Sequence, residues 1–457
     1  MNDGIEAQNP KRRLQTAKTI GELSMDGKMF DRALKCLLLI GLLALLSGCA
    51  GFAKGVTQAL MEDKGEVQDD PRKCFVRGRA FPGLEAYMRQ QELQAARGVA
   101  DRRLLKVLMV HGIGSHQPGY ATRLAENLAR ALALPQVEEK YKEIALSHPK
   151  YTGGLGILRV SRFFNSATGR ELIFFELTWD PIIDAAKETI AFDNSGEYAF
   201  RRTGINNTLK LFVNDTVPDV VLYYGEFRLQ IQTSVGQSLC WMMSDTWQTL
   251  PASGPAFCDP ASPETLDRVG DDYAFITHSL GSRVTTDALQ EIAVQGKAAP
   301  GIAERLAILM EKTFPVFMLS NQLPLLQLGQ AEPTVQGQIA EICTEGAPRS
   351  GERLFRETRL IAFSDPNDLF SYAIPPDFLD HHIDSRLCPT LTNVILNVAP
   401  LTQLFGLGEV ANPMAAHTEY DNDERVIGLI VHGIGHENVA PVVAERCQWM
   451  EAVPAKP

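Results

Sequence analysis

The chain has 457 residues, 45% of them hydrophobic and 22% charged, an ordinary balance for a folded globular protein. Its net charge of -11 is spread without long like-charge runs. That excludes the basic stripe a nucleic-acid partner would need.

In chain order, the first feature is an apolar N-terminal run. Arg32 and Lys35 precede Cys36-Leu37-Leu38-Leu39-Ile40-Gly41-Leu42-Leu43-Ala44-Leu45-Leu46, followed by Ser47-Gly48-Cys49-Ala50. A short basic stretch, an apolar core and small residues before a cleavage point read as a secretory signal. Leu46-Ser47-Gly48-Cys49 resembles the lipobox of bacterial lipoproteins, which implies diacylation of Cys49. Ala50 in place of Asp points to an outer membrane. Two acyl chains suffice for stable anchoring. The alternative is an uncleaved anchor, since the uncharged segment from Cys36 to Ala53 is at the lower edge of bilayer-spanning length. Met25 or Met29 offers an alternative start. Both readings put the body of the chain outside the cytoplasm, in a bacterial cell envelope.

In that compartment Cys74, Cys240, Cys258, Cys343, Cys388 and Cys447 form an even set that favours disulfides over buried thiols. Nearest-neighbour pairing joins Cys240 to Cys258 and Cys343 to Cys388. No C-x-x-C spacing signals zinc or redox chemistry.

Residues 1–48 thus form an N-terminal extension and signal, and residues 49–103 a polar, partly helical tether and packing segment. The folded core spans 104–457, comfortable for one domain carrying insertions. Leu105 to Val110 reads as a buried strand, and Tyr120 to Leu134 as a helix through Leu124, Leu128 and Leu132. Leu172 to Thr178 is the next strand. From about residue 185 to 250 the chain is mostly helical and amphipathic, in the place of a cap insertion. Tyr273 to Ile276 is a strand followed by a helix to about Gln295. Val316–Leu319, Leu360–Phe363 and Val394–Val398 continue the sheet, and Val426 to Val431 fits a helix or a further strand. Strands alternating with helices predict an α/β fold with a doubly wound, mainly parallel sheet.

Three short segments carry the chemistry. Ile276-Thr277-His278-Ser279-Leu280-Gly281, Asp365-Pro366-Asn367-Asp368 and His417 each lie beyond a strand, in the order serine, carboxylate, histidine. That order, with His111-Gly112-Ile113-Gly114 after the first strand, resembles the α/β-hydrolase superfamily and its lipase- and esterase-like oxyanion loop. The resemblance covers about residues 104 to 435. It implies Ser279 as nucleophile, His417 as base, Asp368 as the group that orients it, and the N–H groups of Ile113 and Leu280 as the oxyanion hole. His111, Gly112 and Gly114 would support the loop. Thr277 departs from the usual glycine two residues before the serine, whereas Gly281 meets the need for a small residue two after it.

Several alternatives stay open. Asp365 could replace Asp368, although Asp365-Pro366 reads as turn chemistry. His432 and His436 belong to a second His-Gly-Ile-Gly and enter contention if Val426–Val431 is a strand. As a metal pair these two lack the H-E-x-x-H arrangement. His381-His382 reads as a solvated loop. Function is expected to be ester hydrolysis through an acyl-enzyme, with no metal or organic cofactor and a lipid or other acyl-ester substrate. The other reading is a non-catalytic lipoprotein of hydrolase fold that serves in binding or envelope assembly.

Overall fold

Apolar runs with no polar face become strands buried on both sides, and this chain has several such runs. The structure, a computed structural model, describes residues 73–138, 140–194, 202–260, 262, 267–295, 307–404 and 408–451. Eleven strands follow one another across the sheet: β1 (Cys74–Gly78), β2 (Leu105–Val110), β3 (Lys142–Leu146), β4 (Ile157–Asn165), β5 (Arg170–Thr178), β6 (Ser253–Ala256), β7 (Asp272–His278), β8 (Thr313–Leu319), β9 (Glu357–Ser364), β10 (Pro389–Leu396) and β11 (Cys447–Met450). Their spatial order is β11-β1-β10-β9-β8-β7-β2-β5-β4-β3-β6, and a twelfth strand, Gln136–Val137, pairs with β4.

The six central strands, β5-β2-β7-β8-β9-β10, are mutually parallel. β4 pairs antiparallel with β5 and with β3, and β1 antiparallel with β10, so the sheet is mixed but mostly parallel. Alternate residues feed two cores. Leu108, Val110, Phe275, Val316 and Met318 face one side with Ile231, Val235, Val284 and Ala288. Val107, Met109, Ala274, Ile276 and Phe317 face the other with Met88, Leu124, Leu128, Leu429 and Ile430. The helices that supply these contacts are α1 (Glu85–Ala96), α2 (Thr122–Ala131), α5 (Arg228–Ser244), α6 (Gly281–Gln295) and α8 (Glu424–His432). The α/β class and the mostly parallel sheet are therefore present, with helices on both faces.

Two expectations change and one open reading is decided. The tether assigned to residues 49–103 contains β1 and α1, so the sheet begins well before Leu104. The stretch expected as a cap divides: α3 (Asp184–Ala191) and α4 (Gly204–Tyr224) form an insertion, whereas α5 packs into the core as the crossover helix to β7. Val426–Val431, left open between helix and strand, lies within α8. Asp423 caps its N-terminus by accepting from the N–H groups of Arg425 and Val426, and Gly433 at φ 74° ends it.

Three disulfides form, including both nearest-neighbour pairs, Cys240–Cys258 and Cys343–Cys388. The third, Cys74–Cys447, joins adjacent strands β1 and β11 across a sequence separation of 373. In the chain-entropy picture that closure is worth about 6 kcal/mol, against about 3 kcal/mol for the shortest loop. Among the described residues no helix is long and apolar enough to cross a membrane. Cys49 and the segment from Cys36 to Ala53 lie outside the described residues.

The order of the central strands defines one topological switch point. From β2 the chain crosses to β5, returns to β7 on the opposite side of β2, and then proceeds outward through β8, β9 and β10. Connections leave β2 and β7 in opposite directions, and the gap at their C-terminal ends is where ligands bind in open α/β sheets. The His111–Gly114 loop and Ser279 both stand there.

Candidate active site

Register brings the two loops together. Val110 is level with Thr277, so the residues just beyond, Gly112 and Ser279, meet at the strand ends. The contact is so close that a Cβ on Gly112 would fall 2.4 Å from Cβ of Ser279 and 2.9 Å from its Oγ. A Cβ on Gly281 would fall 2.3 Å from the carbonyl oxygen of Val110 and 2.6 Å from that of His111. Only glycine at these two positions lets the loop, the serine and the start of α6 share the space.

Ser279 itself has φ 56°, a conformation uncommon outside glycine and a mark of a sharp strand-to-helix turn. Its N–H donates to the carbonyl of Leu319 (3.0 Å), and its carbonyl accepts from the N–H of Ser282 (3.1 Å) and the Ser282 hydroxyl (2.6 Å). The side chain is fully buried, and its Oγ has no hydrogen-bond partner among the described residues. Thr277, also buried, likewise leaves Oγ1 unpartnered.

Asp368 and His417 meet. The turn after β9 places Asp368, and α7 (Pro413–Thr418) carries His417, with Asn412 as its N-cap. Nδ1 of His417 lies 3.0 Å from each carboxylate oxygen of Asp368. Burial alone would raise the Asp368 carboxyl. The hydrogen bond and charge of His417, then the Ser320 hydroxyl and the Phe370 N–H, outweigh it and hold the group below its ordinary value. The neighbouring Asp365 has different work. Its Oδ1 accepts from the N–H and side-chain amide of Asn367, and its Oδ2 from the Val398 N–H (2.7 Å), so it ties the turn to the end of β10.

Two residues with no role assigned from the sequence also belong to this cluster. Ser320, beyond the end of β8, donates from Oγ to Oδ2 of Asp368 (2.6 Å) and lies 2.8 Å from Nδ1 of His417. His278, at the end of β7, reaches the main-chain carbonyl of His417 with Nε2 (2.7 Å), and the two rings meet edge to face at 5.0 Å. A carbonyl oxygen only accepts, so Nε2 carries the proton in this contact. Burial, followed by the nearby His417, depresses His278 to about 4, so it serves as a neutral donor. Its only sequence signal is its place beside the serine. For Ser320 the signal was the strand run Phe317-Met318-Leu319 before it, which names a sheet edge and no role.

The His111–Gly114 loop is braced on both sides. Nε2 of His111 accepts from the Trp179 N–H (3.1 Å), Nδ1 contacts the Gly112 carbonyl (2.9 Å), and the ring stacks on the Trp179 indole at 4.8 Å. The Trp179 indole N–H donates back to the His111 carbonyl (3.1 Å). Farther along, the Gly114 N–H donates to Oδ2 of Asp219 (2.6 Å), and the Ser115 hydroxyl donates to Oδ1 of Asp215 (2.8 Å). Both aspartates lie on α4, and Lys187 on α3 neutralises Asp219 at 2.5 Å. No hydrogen bond among the described residues uses the N–H of Ile113 or of Leu280.

The second His-Gly-Ile-Gly lies elsewhere. Gly433–Ile434 pairs antiparallel with Phe81–Pro82, and Nε2 of His436 contacts the carbonyl of His432 (2.6 Å). The two histidines line a surface hollow with Arg89, Glu85 and Asn438, away from Ser279. His381 and His382 close a short helix, Phe378–His382, rather than a loop. Among the described residues, no three His, Cys, Asp or Glu side chains are grouped to hold a metal ion.

Comparison with known proteins adds no relative. No family profile matches the chain, and no curated protein or solved structure does so either.

Proposed function

We propose that the chain is a serine hydrolase of α/β-hydrolase type that cleaves a carboxylic ester through an acyl-enzyme. The observation that carries the reading is the convergence at one sheet edge of a left-handed strand-end serine, a buried Asp368–His417 pair and an adjacent glycine loop. In this mechanism Ser279 Oγ attacks the ester carbonyl while Nε2 of His417 takes its proton. Asp368, bound at Nδ1, holds the imidazole in the tautomer that leaves Nε2 free and stabilises the imidazolium as it forms. The N–H groups of Ile113 and Leu280 take up the charge on the carbonyl oxygen, an effect worth roughly 10²- to 10³-fold per donor. His417 then protonates the leaving alcohol, and water repeats the sequence to release the acid. These steps need no metal or organic cofactor.

A lipid or other long acyl ester is the favoured substrate class. Leu209, Val213, Val217 and Val221 recur every fourth residue along α4 and expose 52%, 43%, 51% and 64% of their surface. The opposite side of that helix carries the aspartates that grip the candidate oxyanion loop. With diacylation at Cys49, the enzyme would work at a bacterial envelope membrane, anchored by its own N-terminus.

A second reading, a hydrolase scaffold that binds without turnover, draws on the full enclosure of Ser279 and its unpartnered Oγ. Hydrogen bonds in free enzymes often tighten only when substrate enters. A fluorophosphonate probe decides between the two, because only an activated serine is labelled. Labelling abolished by Ser279→Ala supports the enzyme, and an unlabelled folded chain supports the scaffold. A panel of p-nitrophenyl esters of increasing chain length then reads the acyl preference.

A further inference from the structure

The end of β8 holds a second serine built like the first. Ser320 has φ 50°, is fully buried and follows Leu319, which is level with His278 across the sheet. Two neighbouring parallel strands therefore end in serines with the same left-handed backbone. Such a conformation is strained outside glycine and persists where the surroundings impose it. At Ser320 they do so through Asn321, whose N–H donates to the Phe363 carbonyl (2.9 Å) and whose carbonyl accepts from the Tyr372 N–H (2.8 Å). The two serines differ in what their hydroxyls touch. That of Ser279 is unpartnered, whereas that of Ser320 lies between the carboxylate and the imidazole.

The proton inventory defines its work. Nδ1 of His417 has at most one proton and three oxygens within 3.0 Å: Oδ1 and Oδ2 of Asp368 and Oγ of Ser320. The carboxylate is pinned at Oδ1 by the Phe370 N–H (2.9 Å) and at Oδ2 by the Ser320 hydroxyl (2.6 Å). With both outer donors in place it cannot turn about its Cβ–Cγ bond without breaking one of them. Without the hydroxyl, Oδ2 is held by His417 alone and becomes a stronger acceptor for the imidazolium.

We propose that Ser320 is a positioning residue for the acid–base pair, its hydroxyl fixing the Asp368 carboxylate and moderating its grip on His417. It touches no reacting atom and acts through Asp368 and His417. The proposal rests on the hydrolase reading above.

The test uses the full chain carrying Ser320→Ala or Ser320→Gly, with fluorophosphonate acylation rate and p-nitrophenyl ester turnover measured across pH. A hydrogen bond to a charged group is lost in both variants, so each rate should fall roughly tenfold or more. The acid limb of each profile should move to higher pH, because the protonated pair persists longer beside an unmoderated carboxylate. Ser320→Gly separates this role from a backbone one. Glycine adopts φ near 50° without strain, so a purely structural Ser320 would be replaced by glycine with no loss of rate. Rates within twofold of wild type and an unmoved profile in folded Ser320→Gly would overturn the proposal, even if Ser320→Ala were too unstable to assay. A wild-type chain that resists the probe, or labelling that survives Ser279→Ala, takes down the hydrolase reading itself.

Discussion

His111–Gly114 and His432–Gly435 are the same four residues, His-Gly-Ile-Gly, in two different trades. The first leaves a buried parallel strand, and its Gly112 lies against Ser279 because no side chain would fit between them. The second leaves a helix. Gly433 at φ 74° ends α8, and Gly435 at φ 85° turns the chain beside Ala80 while Ile434 pairs with Phe81. In the first copy Gly112 grants close approach to Ser279, whereas in the second Gly433 combines a left-handed turn with close approach to Phe81. What precedes the motif decides what its first glycine packs against.

The sharpest break between the copies comes from their surroundings. Ser279→Ala, next to the first copy, should lower ester turnover by roughly 10⁴-fold or more, and His417→Ala should match it, with little further loss in the double variant. Additive losses in the double variant would show that the two do not act as one unit. Gly112→Ala tests the first copy directly. Its new methyl would sit on Ser279 Cβ and near the His278 carbonyl oxygen, so turnover per folded molecule should drop about 100-fold or more, with a loss of stability beside it. An unchanged rate would mean that this loop does not approach the serine.

Gly433→Ala should cost stability alone. Its Cβ would fall 2.0 Å from the Phe81 carbonyl oxygen at a left-handed φ, so the chain should lose about 3 kcal/mol or more of stability in denaturant unfolding. Turnover per folded molecule should remain at the wild-type level. Smallest of all, His432→Ala and His436→Ala should change turnover less than about tenfold, since both line a surface hollow away from Ser279. A loss comparable to that of His417→Ala in either would reverse the assignment of the base.

The central strands were legible because burial on both faces leaves an unbroken apolar signature, as in Leu105–Val110 and Leu360–Phe363. Edge elements were not. β1 and β11 are short, and nothing local says that Cys74–Gly78 will pair with residues more than 300 positions away. α5 was read as part of a cap because amphipathic spacing reports one apolar face but not which surface receives it. In the candidate site, residue order placed Ser279, Asp368 and His417, and the contact between the last two is present in the structure. Ser320 and His278 escaped notice because a hydroxyl and an imidazole gain their partners only through the alignment of β7 with β8 and the fold of α7 against them. Asp215 and Asp219 escaped for the same reason, their partners lying about 100 residues upstream.

The bridge between Cys74 and Cys447 has a mechanical consequence. It ties the first residue of β1 to the first residue of β11, so a pull applied at Lys73 and Glu451 meets it first. Tension applied between these two points runs through a single covalent link and bypasses the sheet. The six parallel strands and the loops at their ends carry none of that load. In a single-molecule pulling experiment the oxidised domain should add only a few residues of extension, and the reduced domain should unravel.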